Sequence, residues 1–362
     1  MPDSKIAPLL VGTYTPPQGR GEGVVMIELD TEHGTLRRGT ASSAQSNPSF
    51  VAVSPAATQA YAVSEVDSVD GRPTGALVSL ALQDGGLAHT GTVETGSTGP
   101  CHVAVAPGGR HAVVANYQGG AVSVVSLEPD GPVRERTDLV QHRGSSVDPD
   151  RQSEAHAHSA TFDPRGERVL VCDLGLDKVI FYRLDTQSGR LQALPELEIS
   201  TPAGTGPRHL DFDPGGRRLF VAGELNSTLL VYTHDPDTGE TEELQVASTL
   251  GEVVPERRNH PADIHVHPTG RFVYVSNRGL DSIAIFAVDE RDGRVELLAN
   301  HPGGGEVPRN FTIDPSGRLL LCANQRTDTV VPFWIEPATG LLTQAADALP
   351  VGSPVCLRFL RT

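Results

Sequence analysis

Arginine and glutamate residues at the two ends of one short segment are the first candidates for chemistry in this chain. Arg208 begins the segment and Glu224 ends it, and between them two apolar runs are joined by the turn sequence Asp213-Pro-Gly-Gly-Arg. Two antiparallel strands joined by a tight turn return to their starting point, so the two charged residues are predicted to lie side by side. A guanidinium next to a carboxylate can bind an anionic group and take part in proton transfer.

The same segment recurs across the chain, and the prolines of its turns give the register of the repeat. The turns lie at Pro55, Pro107, Pro164, Pro214, Pro268 and Pro315, at intervals of about fifty residues. Each turn leads into a β-rich run, a third run follows, and a turn of the Asp-x-x-x-Gly type opens a more polar fourth strand. Four antiparallel strands in a repeat of this length are typical of a β-propeller blade.

Six complete copies are visible, and the two ends of the chain supply a seventh. The amino-terminal segment holds strands of the second, third and fourth kinds, while Pro354-Val-Cys-Leu-Arg-Phe-Leu at the other end matches the missing first strand. Pairing this last strand with the amino-terminal blade closes the ring and leaves no sheet edge open. The sequence therefore predicts an all-β fold, one seven-bladed β-propeller domain over residues 1–362 with four antiparallel strands per blade.

The repeat register also gathers polar residues at one end of the ring. The start of each first strand and the end of each second strand must meet there, because the second strand runs back beside the first. Three arginines, three histidines and one carboxylate fall at these positions: Arg208, Arg278, Arg309, His102, His158, His209 and Glu224. Further candidates for substrate binding are Asn116, Tyr117, His156, Asn277 and Asn324.

The charge of the chain narrows the possible partners. A formal net charge of −16 argues against binding to nucleic acid or to an acidic membrane surface. Three arginines that converge in so acidic a protein favour a small anionic ligand, because guanidinium groups match phosphate and carboxylate. Glu224 and the imidazoles beside the arginines are candidate general acids and bases.

Other sites receive less support from the sequence. The pairs His156/His158 and His265/His267 each place two imidazoles on one strand face, but no Asp, Glu or Cys completes a metal set, so neither a metal nor another cofactor is expected. A serine nucleophile elbow and a glycine-rich phosphate loop are not found. Residues 133–155 are charged and irregular and predict a loop over one face, either a solvated excursion or a cover for a site.

The cysteines and the amino-terminal residues indicate the cellular compartment of the protein. The four cysteines have no C-x-x-C spacing and three lie in apolar strand-like runs, which predicts buried, reduced thiols and a reducing compartment. Cys101, next to His102, is interpreted in the same way. The first residues lack a signal-peptide pattern and no apolar run is long enough to span a membrane, so a cytoplasmic protein is expected, as a monomer or weak homo-oligomer.

Motifs along the whole chain are similar to those of the seven-bladed propeller lactonase family. They include Gly12-Thr-Tyr-Thr, Asn47-Pro-Ser-Phe, Gly99-Pro-Cys-His, Ala115-Asn-Tyr, His156-Ala-His-Ser, Asp173-Leu-Gly-Leu-Asp, Gly206-Pro-Arg-His, Glu224-Leu-Asn-Ser, Ser276-Asn-Arg-Gly-Leu-Asp-Ser-Ile and Ala323-Asn-Gln. The family includes bacterial propeller-type 6-phosphogluconolactonases and fungal 3-carboxy-cis,cis-muconate lactonizing enzymes. In the fungal branch a histidine, a glutamate and arginines serve lactone chemistry, which implies catalytic roles for His158, Glu224, Arg208 and Arg278. Arg309 and Asp263 depart from the family pattern.

The resemblance implies a metal-independent lactonase. The motifs at His156 and Gly206 favour the bacterial branch, in which 6-phospho-D-glucono-1,5-lactone is hydrolysed to 6-phosphogluconate in the pentose phosphate pathway. Three alternatives stay open: a cycloisomerase that acts on a carboxymuconate, a non-catalytic propeller that binds a protein or sugar, and a metal-dependent propeller lactonase. Sensitivity to a chelator would favour the last of these.

Overall fold

The computed structural model describes residues 5–42, 45–83 and 86–360, and short strands account for most of them. Strands are numbered in chain order. The chain begins with β1 (Ile6–Thr13), β2 (Val24–Asp30) and β3 (Leu36–Ser42). Blade 2 follows with β4 (Val51–Val53), β5 (Gln59–Ser64), β6 (Ala76–Gln83) and β7 (Gly86–Glu94). Blade 3 contains β8 (Pro100–Val105), β9 (His111–Asn116), β10 (Ala121–Leu127) and β11 (Val133–Gln141).

Blade 4 contains β12 (Ala157–Phe162), β13 (Arg168–Asp173), β14 (Lys178–Asp185), β15 (Arg190–Ala193), a 3-10 turn at Pro195–Leu197 and the two-residue β16 (Ile199–Ser200). Blade 5 contains β17 (Pro207–Phe212), β18 (Arg218–Gly223), β19 (Thr228–His234) and β20 (Thr241–Ser248). Blade 6 contains β21 (His260–Val266), β22 (Phe272–Arg278), β23 (Ser282–Val288) and β24 (Val295–Pro302). Blade 7 contains β25 (Pro308–Ile313), β26 (Leu319–Asn324), β27 (Thr329–Ile335), β28 (Leu342–Gln344) and β29 (Leu349–Pro350), and β30 (Pro354–Phe359) is the last strand.

The last strand closes the ring. It pairs antiparallel with β1, with Leu9 opposite Phe359 and Val11 opposite Leu357, so blade 1 has the order β3-β2-β1-β30. Each innermost strand packs against the innermost strand of the next blade, and β30 packs against both β25 and β4. The predicted seven-bladed propeller, with its joined chain ends, is confirmed.

The core consists of apolar layers between neighbouring blades. One buried cluster spans blades 1, 2 and 3, and further clusters fill each of the remaining interfaces around the ring. Phe220 of blade 5 and Phe286 of blade 6, both fully buried, belong to one such layer. Second and third strands are apolar on both faces because each blade is covered by two neighbours, and this burial stabilises the ring.

The turn that marks the repeat has a local explanation. The Asp213 carboxylate accepts hydrogen bonds from the backbone N–H groups of Arg217 and Arg218, at 2.6 and 2.7 Å. Gly216 in the same turn has a φ of 63°, a conformation that favours glycine. Asp314 holds its own turn in the same way, with distances of 2.8 and 2.7 Å to the N–H groups of Arg318 and Leu319. The Asp-Pro-x-Gly signature thus encodes the hairpin between first and second strands.

The prediction for one irregular segment is partly wrong. Residues 133–155 were expected to form a loop, but Val133–Gln141 is the outer strand β11 of blade 3. Its side chains are largely polar and exposed because an outermost strand has little to pack against, which hides the alternation that reveals a strand. Only residues 142–156 form the loop.

All four cysteines are unpaired and buried, as predicted. Within the ranges that the structure describes, no helix has the length and apolar character needed to cross a membrane.

Candidate active site

A β-bulge near the start of the innermost strands brings side chains to the tunnel. The pairing register shifts between Pro100 and His102, between Ala157 and Ser159, and in the equivalent stretches of blades 5, 6 and 7. A bulge inserts an extra residue and re-aims its side chain. The residues inserted here include Cys101, His158, Arg208 and Arg309, and all four line one small pocket inside the ring.

A cavity of about 720 Å³ opens from this pocket to the outside at the predicted mouth. Its lining is polar and carries both signs of charge: Tyr14, Gln18, Asn47, Glu65, Val66, Asp67, Ser68, Gly99, Cys101, Tyr117, Gln118, Arg151, His158, Glu224, Arg278, Arg309 and Gln325. Arg208 lies at its inner end, in the adjoining small pocket. The volume suits a sugar-sized ligand.

Glu224 is the centre of the charge arrangement. One carboxylate oxygen, Oε2, lies 3.0 Å from Nε of Arg208 and 2.9 Å from Nη2 of Arg278. The other oxygen, Oε1, accepts a hydrogen bond of 2.8 Å from Nη2 of Arg151. Burial by itself raises the pKa of Glu224, but Arg278 and Arg208 outweigh burial and hold that pKa well below its ordinary value. Glu224 is therefore ionised and surrounded by three guanidinium groups.

Two of these arginines are fixed by the backbone. Arg208 donates from Nη1 to the carbonyl oxygen of Ala262, and Arg278 donates to the carbonyl oxygens of His260 and Pro261 at 3.2 and 3.3 Å. Since backbone acceptors do not move with side-chain rotation, these guanidinium groups are held in place before any ligand arrives. Such preorganisation is what electrostatic stabilisation of a developing negative charge requires.

His158 is a neutral imidazole beside these cations. Burial lowers its pKa well below the ordinary value, and Arg208 lowers it further, while Glu224 acts in the opposite direction. Its ring lies edge-on to Tyr117, with centroids 5.3 Å apart, and 5.5 Å from the ring of His209. A neutral imidazole that lines a polar cavity can accept a proton.

His209 and His102 separate this cavity from the opposite side of the tunnel. The rings of Phe50, His102 and His209 lie together, with centroids 4.0 Å apart for Phe50 and His102 and 5.3 Å apart for the two histidines. All three line a second cavity of about 730 Å³ that opens at the other face, and Phe50 and His209 also line the small inner pocket. His102 and His209 therefore form a partition at the bottom of the candidate site.

Asp263 connects this partition to Arg208. Its Oδ1 lies 2.8 Å from Nδ1 of His209, and Nε2 of His209 lies 3.2 Å from Nη1 of Arg208. Because Nη1 of Arg208 can only donate, Nε2 of His209 is the acceptor and Nδ1 carries the proton that Asp263 accepts. Burial and Arg208 lower the pKa of His209 to about 4, against the effect of Asp263.

A second carboxylate group lies across the mouth. The hydroxyl group of Tyr14 is 3.0 Å from Oε2 of Glu65, and Arg309 donates to the same hydroxyl oxygen at 3.0 Å. The guanidinium of Arg309 also lies 5.4 Å from the centre of the Tyr14 ring. Tyr14 and Glu65 were not among the predicted site residues, although Glu65 falls in the same repeat position as Glu224.

Arg151 is a further functional candidate that the sequence did not reveal. It lies in the loop of residues 142–156, which carries no repeat register. Both ends of this loop are anchored on Asp173: Nδ1 of His142 lies 2.6 Å from Oδ2, and Oδ1 accepts the backbone N–H of His156 at 2.8 Å. The loop is thus held against blade 4, and through Arg151 it contributes to the lining of the cavity.

Four predicted substrate-binding residues are placed away from the cavity. Asn116, Asn277 and Asn324 are fully buried inside their blades, where their amide groups bond to Ser123, Thr249 and the Gly303 carbonyl, respectively. His156 stacks on Tyr117, with centroids 4.5 Å apart, and bonds to the Tyr117 backbone. The structure does bring together six of the predicted residues, His158, Glu224, Arg208, Arg278, Tyr117 and Arg309, while the remaining two, His102 and His209, form the partition.

Among residues 5–42, 45–83 and 86–360, no group of three or more His, Cys, Asp or Glu side chains is arranged to hold a metal ion.

Fold and site together define a class: a seven-bladed propeller with a preorganised, arginine-rich cavity at one tunnel mouth. The model of the family "Lactonase, 7-bladed beta-propeller" matches residues 8–359. The chain belongs to this family and is a lactonase.

Several relatives match over nearly their whole length. The 6-phosphogluconolactonase of Bacillus subtilis is 33% identical over 97% of both chains. The 6-phosphogluconolactonase of Formosa agariphila is 28% identical, with coverage of 97% of this chain and 99% of that protein. The solved structure of the periplasmic gluconolactonase of Pseudomonas aeruginosa superposes with a TM-score of 0.89 at 32% identity, covering 98% of this chain and 99% of that one.

Proposed function

We propose that this lactonase hydrolyses 6-phospho-D-glucono-1,5-lactone to 6-phosphogluconate, in the pentose phosphate pathway. The observation that supports the proposal most is the set of four guanidinium groups, from Arg151, Arg208, Arg278 and Arg309, at one sugar-sized cavity. A phosphorylated lactone supplies an anion for these groups and a carbonyl group whose oxygen becomes negative during attack. The names of the relatives from Bacillus subtilis and Formosa agariphila agree with this substrate.

The proposed reaction adds one water molecule across the C1–O5 bond of the lactone. The water oxygen bonds to C1, one of its protons passes to Nε2 or Nδ1 of His158, and the carbonyl oxygen takes up negative charge beside Arg208. The tetrahedral intermediate then collapses, the C1–O5 bond breaks, and the ring oxygen receives the proton. The product acid ionises at neutral pH and releases one proton to solvent.

The roles of the residues follow from the charges at the site. His158 is the better base because it is a neutral imidazole, whereas the carboxylate of Glu224 has three cations around it. Glu224 would orient Arg208 and Arg278 and limit the repulsion between them. Fixed guanidinium groups that face a developing oxyanion stabilise the transition state without having to reorganise.

Release of a proton gives a direct assay. The purified protein should consume 6-phosphogluconolactone in a pH-stat at a rate far above spontaneous hydrolysis, and equally with and without a chelator. A rate no greater than that of the buffer would contradict the proposal, and loss of activity with the chelator would favour a metal-dependent lactonase.

Hydrolysis of unphosphorylated glucono-1,5-lactone is the second candidate. It is favoured by the 32% identity to the Pseudomonas aeruginosa protein, whose name specifies gluconolactone. The two lactones, assayed side by side, decide between these substrates. A carboxymuconate lactone in the same assay tests the cycloisomerase alternative.

The buried, unpaired thiols fit a reducing compartment, and the cytoplasm is the location that we propose. Cell fractionation tests it, with the periplasm as the competing result because one structural relative is named periplasmic.

A further inference from the structure

Arg151 differs from the other arginines of the site in how it is held. Arg208 and Arg278 each bond to backbone carbonyl oxygens, but the guanidinium of Arg151 bonds to two side chains, the hydroxyl of Tyr117 at 3.1 Å and Oε1 of Glu224 at 2.8 Å. Its side chain is 30% exposed, compared with 3% for Arg208 and 14% for Arg278. Arg151 is therefore the outermost of the three cations and the one that side-chain rotation alone can release.

Release of Arg151 leaves Glu224 paired. Arg208 and Arg278 both contact Oε2, while Arg151 contacts Oε1. If Arg151 turns to another anion, the buried carboxylate keeps two guanidinium partners and does not become an unpaired buried charge, which would be costly. The arrangement allows Arg151 to exchange partners without disturbing the inner part of the site.

The loop that carries Arg151 is fixed although the side chain is not. Gln152, next in the chain and fully buried, donates from Nε2 to the Leu174 carbonyl oxygen at 2.8 Å. On the other side of Arg151, Ser146 donates from its hydroxyl group to Oδ2 of Asp177 at 2.5 Å. Since the backbone is anchored on both sides, Arg151 stays at the outer mouth of the cavity when its side chain moves.

The solvent exposure of the arginines increases from Arg208 to Arg151, and the polarity of a phosphorylated lactone increases in the same direction, from its ring to its phosphate. A phosphate dianion is strongly hydrated and is least costly to bind where water remains, whereas the uncharged lactone ring can enter the drier inner pocket. With the lactone carbonyl at Arg208 and His158, the 6-phosphate reaches toward the mouth. There, Arg151 offers a planar guanidinium suited to two phosphate oxygens.

We propose that Arg151 is the specificity residue of the site, which exchanges Glu224 for the 6-phosphate of the substrate and so selects phosphorylated over unphosphorylated lactones. This inference rests on the proposed function, because it assigns part of the same cavity to one group of the proposed substrate. It concerns selectivity, and the reacting atoms at the inner end of the cavity are left to other residues.

The test compares Arg151→Gln with Arg258→Gln, measuring kcat/KM for 6-phosphogluconolactone and for unphosphorylated glucono-1,5-lactone. Arg258 is an exposed arginine that contacts the same loop through Asp148 and does not line the cavity, so it is the matched control. For Arg151→Gln, the ratio of the two kcat/KM values should fall about 10- to 100-fold, the effect of one charge-assisted bidentate contact. Arg258→Gln should keep the ratio of the wild type, and Arg151→Lys should fall between.

An equal loss on both lactones would assign Arg151 to folding or to the chemical step and overturn the inference, as would no loss on either. Binding of 6-phosphogluconate, measured by titration calorimetry, separates this inference from the proposed function. If the wild type turns over only the unphosphorylated lactone, the proposed function fails. In that case weaker 6-phosphogluconate binding by Arg151→Gln would still support the phosphate contact, whereas equal binding, or none by the wild type, would reject it too.

Discussion

Arg208 and Glu224, the first and last charged residues of one hairpin in blade 5, meet at the tunnel mouth, with Nε of Arg208 3.0 Å from Oε2 of Glu224. The hairpin of β17 and β18 accounts for their proximity, since its two ends lie at the same edge of the blade. The bulge after Pro207 places Arg208 in the inner pocket. A local feature of the chain thus provides the inner half of the ligand site, and the neighbouring blades supply Arg278 and His158.

Replacement of Glu224 by glutamine should separate catalysis from anion binding. The variant keeps the shape of the side chain but leaves Arg151, Arg208 and Arg278 without their shared counter-charge. We expect kcat to fall about 10²- to 10³-fold as the arginines that stabilise the oxyanion lose their orientation, while inorganic phosphate inhibits more strongly because the cavity becomes more positive. Loss of one partner from this buried network should also lower the free energy of unfolding by about 3–5 kcal/mol.

Steady-state kinetics with phosphate as inhibitor and urea unfolding measure these effects. Glu128→Gln is the control, because Glu128 forms an exposed ion pair with Arg134 at 3.2 Å and should change neither property. Weaker inhibition by phosphate in Glu224→Gln would contradict the assignment of Glu224 as the counter-charge of an anion site.

The pH dependence of the rate should report His158. Burial and Arg208 lower the pKa of His158 well below the ordinary value of 6.5, so the base of the free enzyme stays neutral at lower pH than an ordinary histidine. The acid limb of kcat/KM should therefore lie below pH 6.5. A bound anion offsets the charge of Arg208, so the acid limb of kcat should lie at higher pH than that of kcat/KM.

Initial rates between about pH 4 and 7.5, corrected for spontaneous hydrolysis, test this prediction. His158→Gln should abolish the limb together with most of the activity. An acid limb that persists in His158→Gln would show that another group titrates.

Stability should depend on pH through His209. Its pKa is lowered from 6.5 to about 4, mainly by burial, so between these values the unfolded chain binds a proton that the native protein does not. Stability then rises with pH across this window and is lost as the pH falls from 6.5 to 4. For this one residue the loss is on the order of 3 kcal/mol, from 2.5 pH units at about 1.36 kcal/mol each.

Urea unfolding at several pH values measures this slope, and His209→Gln should make it shallower by up to one bound proton. His89→Gln, which changes an exposed histidine, should keep the slope of the wild type. The expectation is rejected if His209→Gln and the wild type lose stability in parallel below pH 6.5.

The parts of the site that could be predicted are those within the repeat. Pro214 and its equivalents fix the hairpins through local turn chemistry, so the register carries Arg208, His158, Arg278 and Glu224 to one and the same mouth. The same register placed Asn116, Asn277 and Asn324 at that mouth, but a strand alternates its side chains between faces, and theirs point into the blades. Repeat position indicates height along the tunnel and does not settle which way a side chain points.

Arg151 and the strand Val133–Gln141 could not be predicted, for different reasons. The strand is polar because it lies at the outer edge of blade 3, so the apolar alternation that would reveal it is weak. Arg151 belongs to a loop with no counterpart in the other blades, and its position depends on Asp173, far from it in the register. Contacts of this kind arise only from the assembled fold.

Gly175 should control the position of the loop that carries Arg151. A Cβ atom at Gly175 would lie 1.9 Å from the carbonyl oxygen of Glu154 and 2.9 Å from the backbone nitrogen of His156. Neither backbone atom can yield without moving the chain, so Gly175→Ala must displace the end of the loop near Arg151. We expect a roughly 10-fold rise in KM for 6-phosphogluconolactone, with a smaller change for the unphosphorylated lactone, because a charged contact at the mouth is lost while the inner pocket is unchanged. Gly108→Ala is the matched control, since a Cβ there meets nothing within 4 Å, and the same two KM values measured for both variants decide the matter. A Gly175→Ala enzyme with the KM of the wild type for both substrates would show that the loop position does not govern binding.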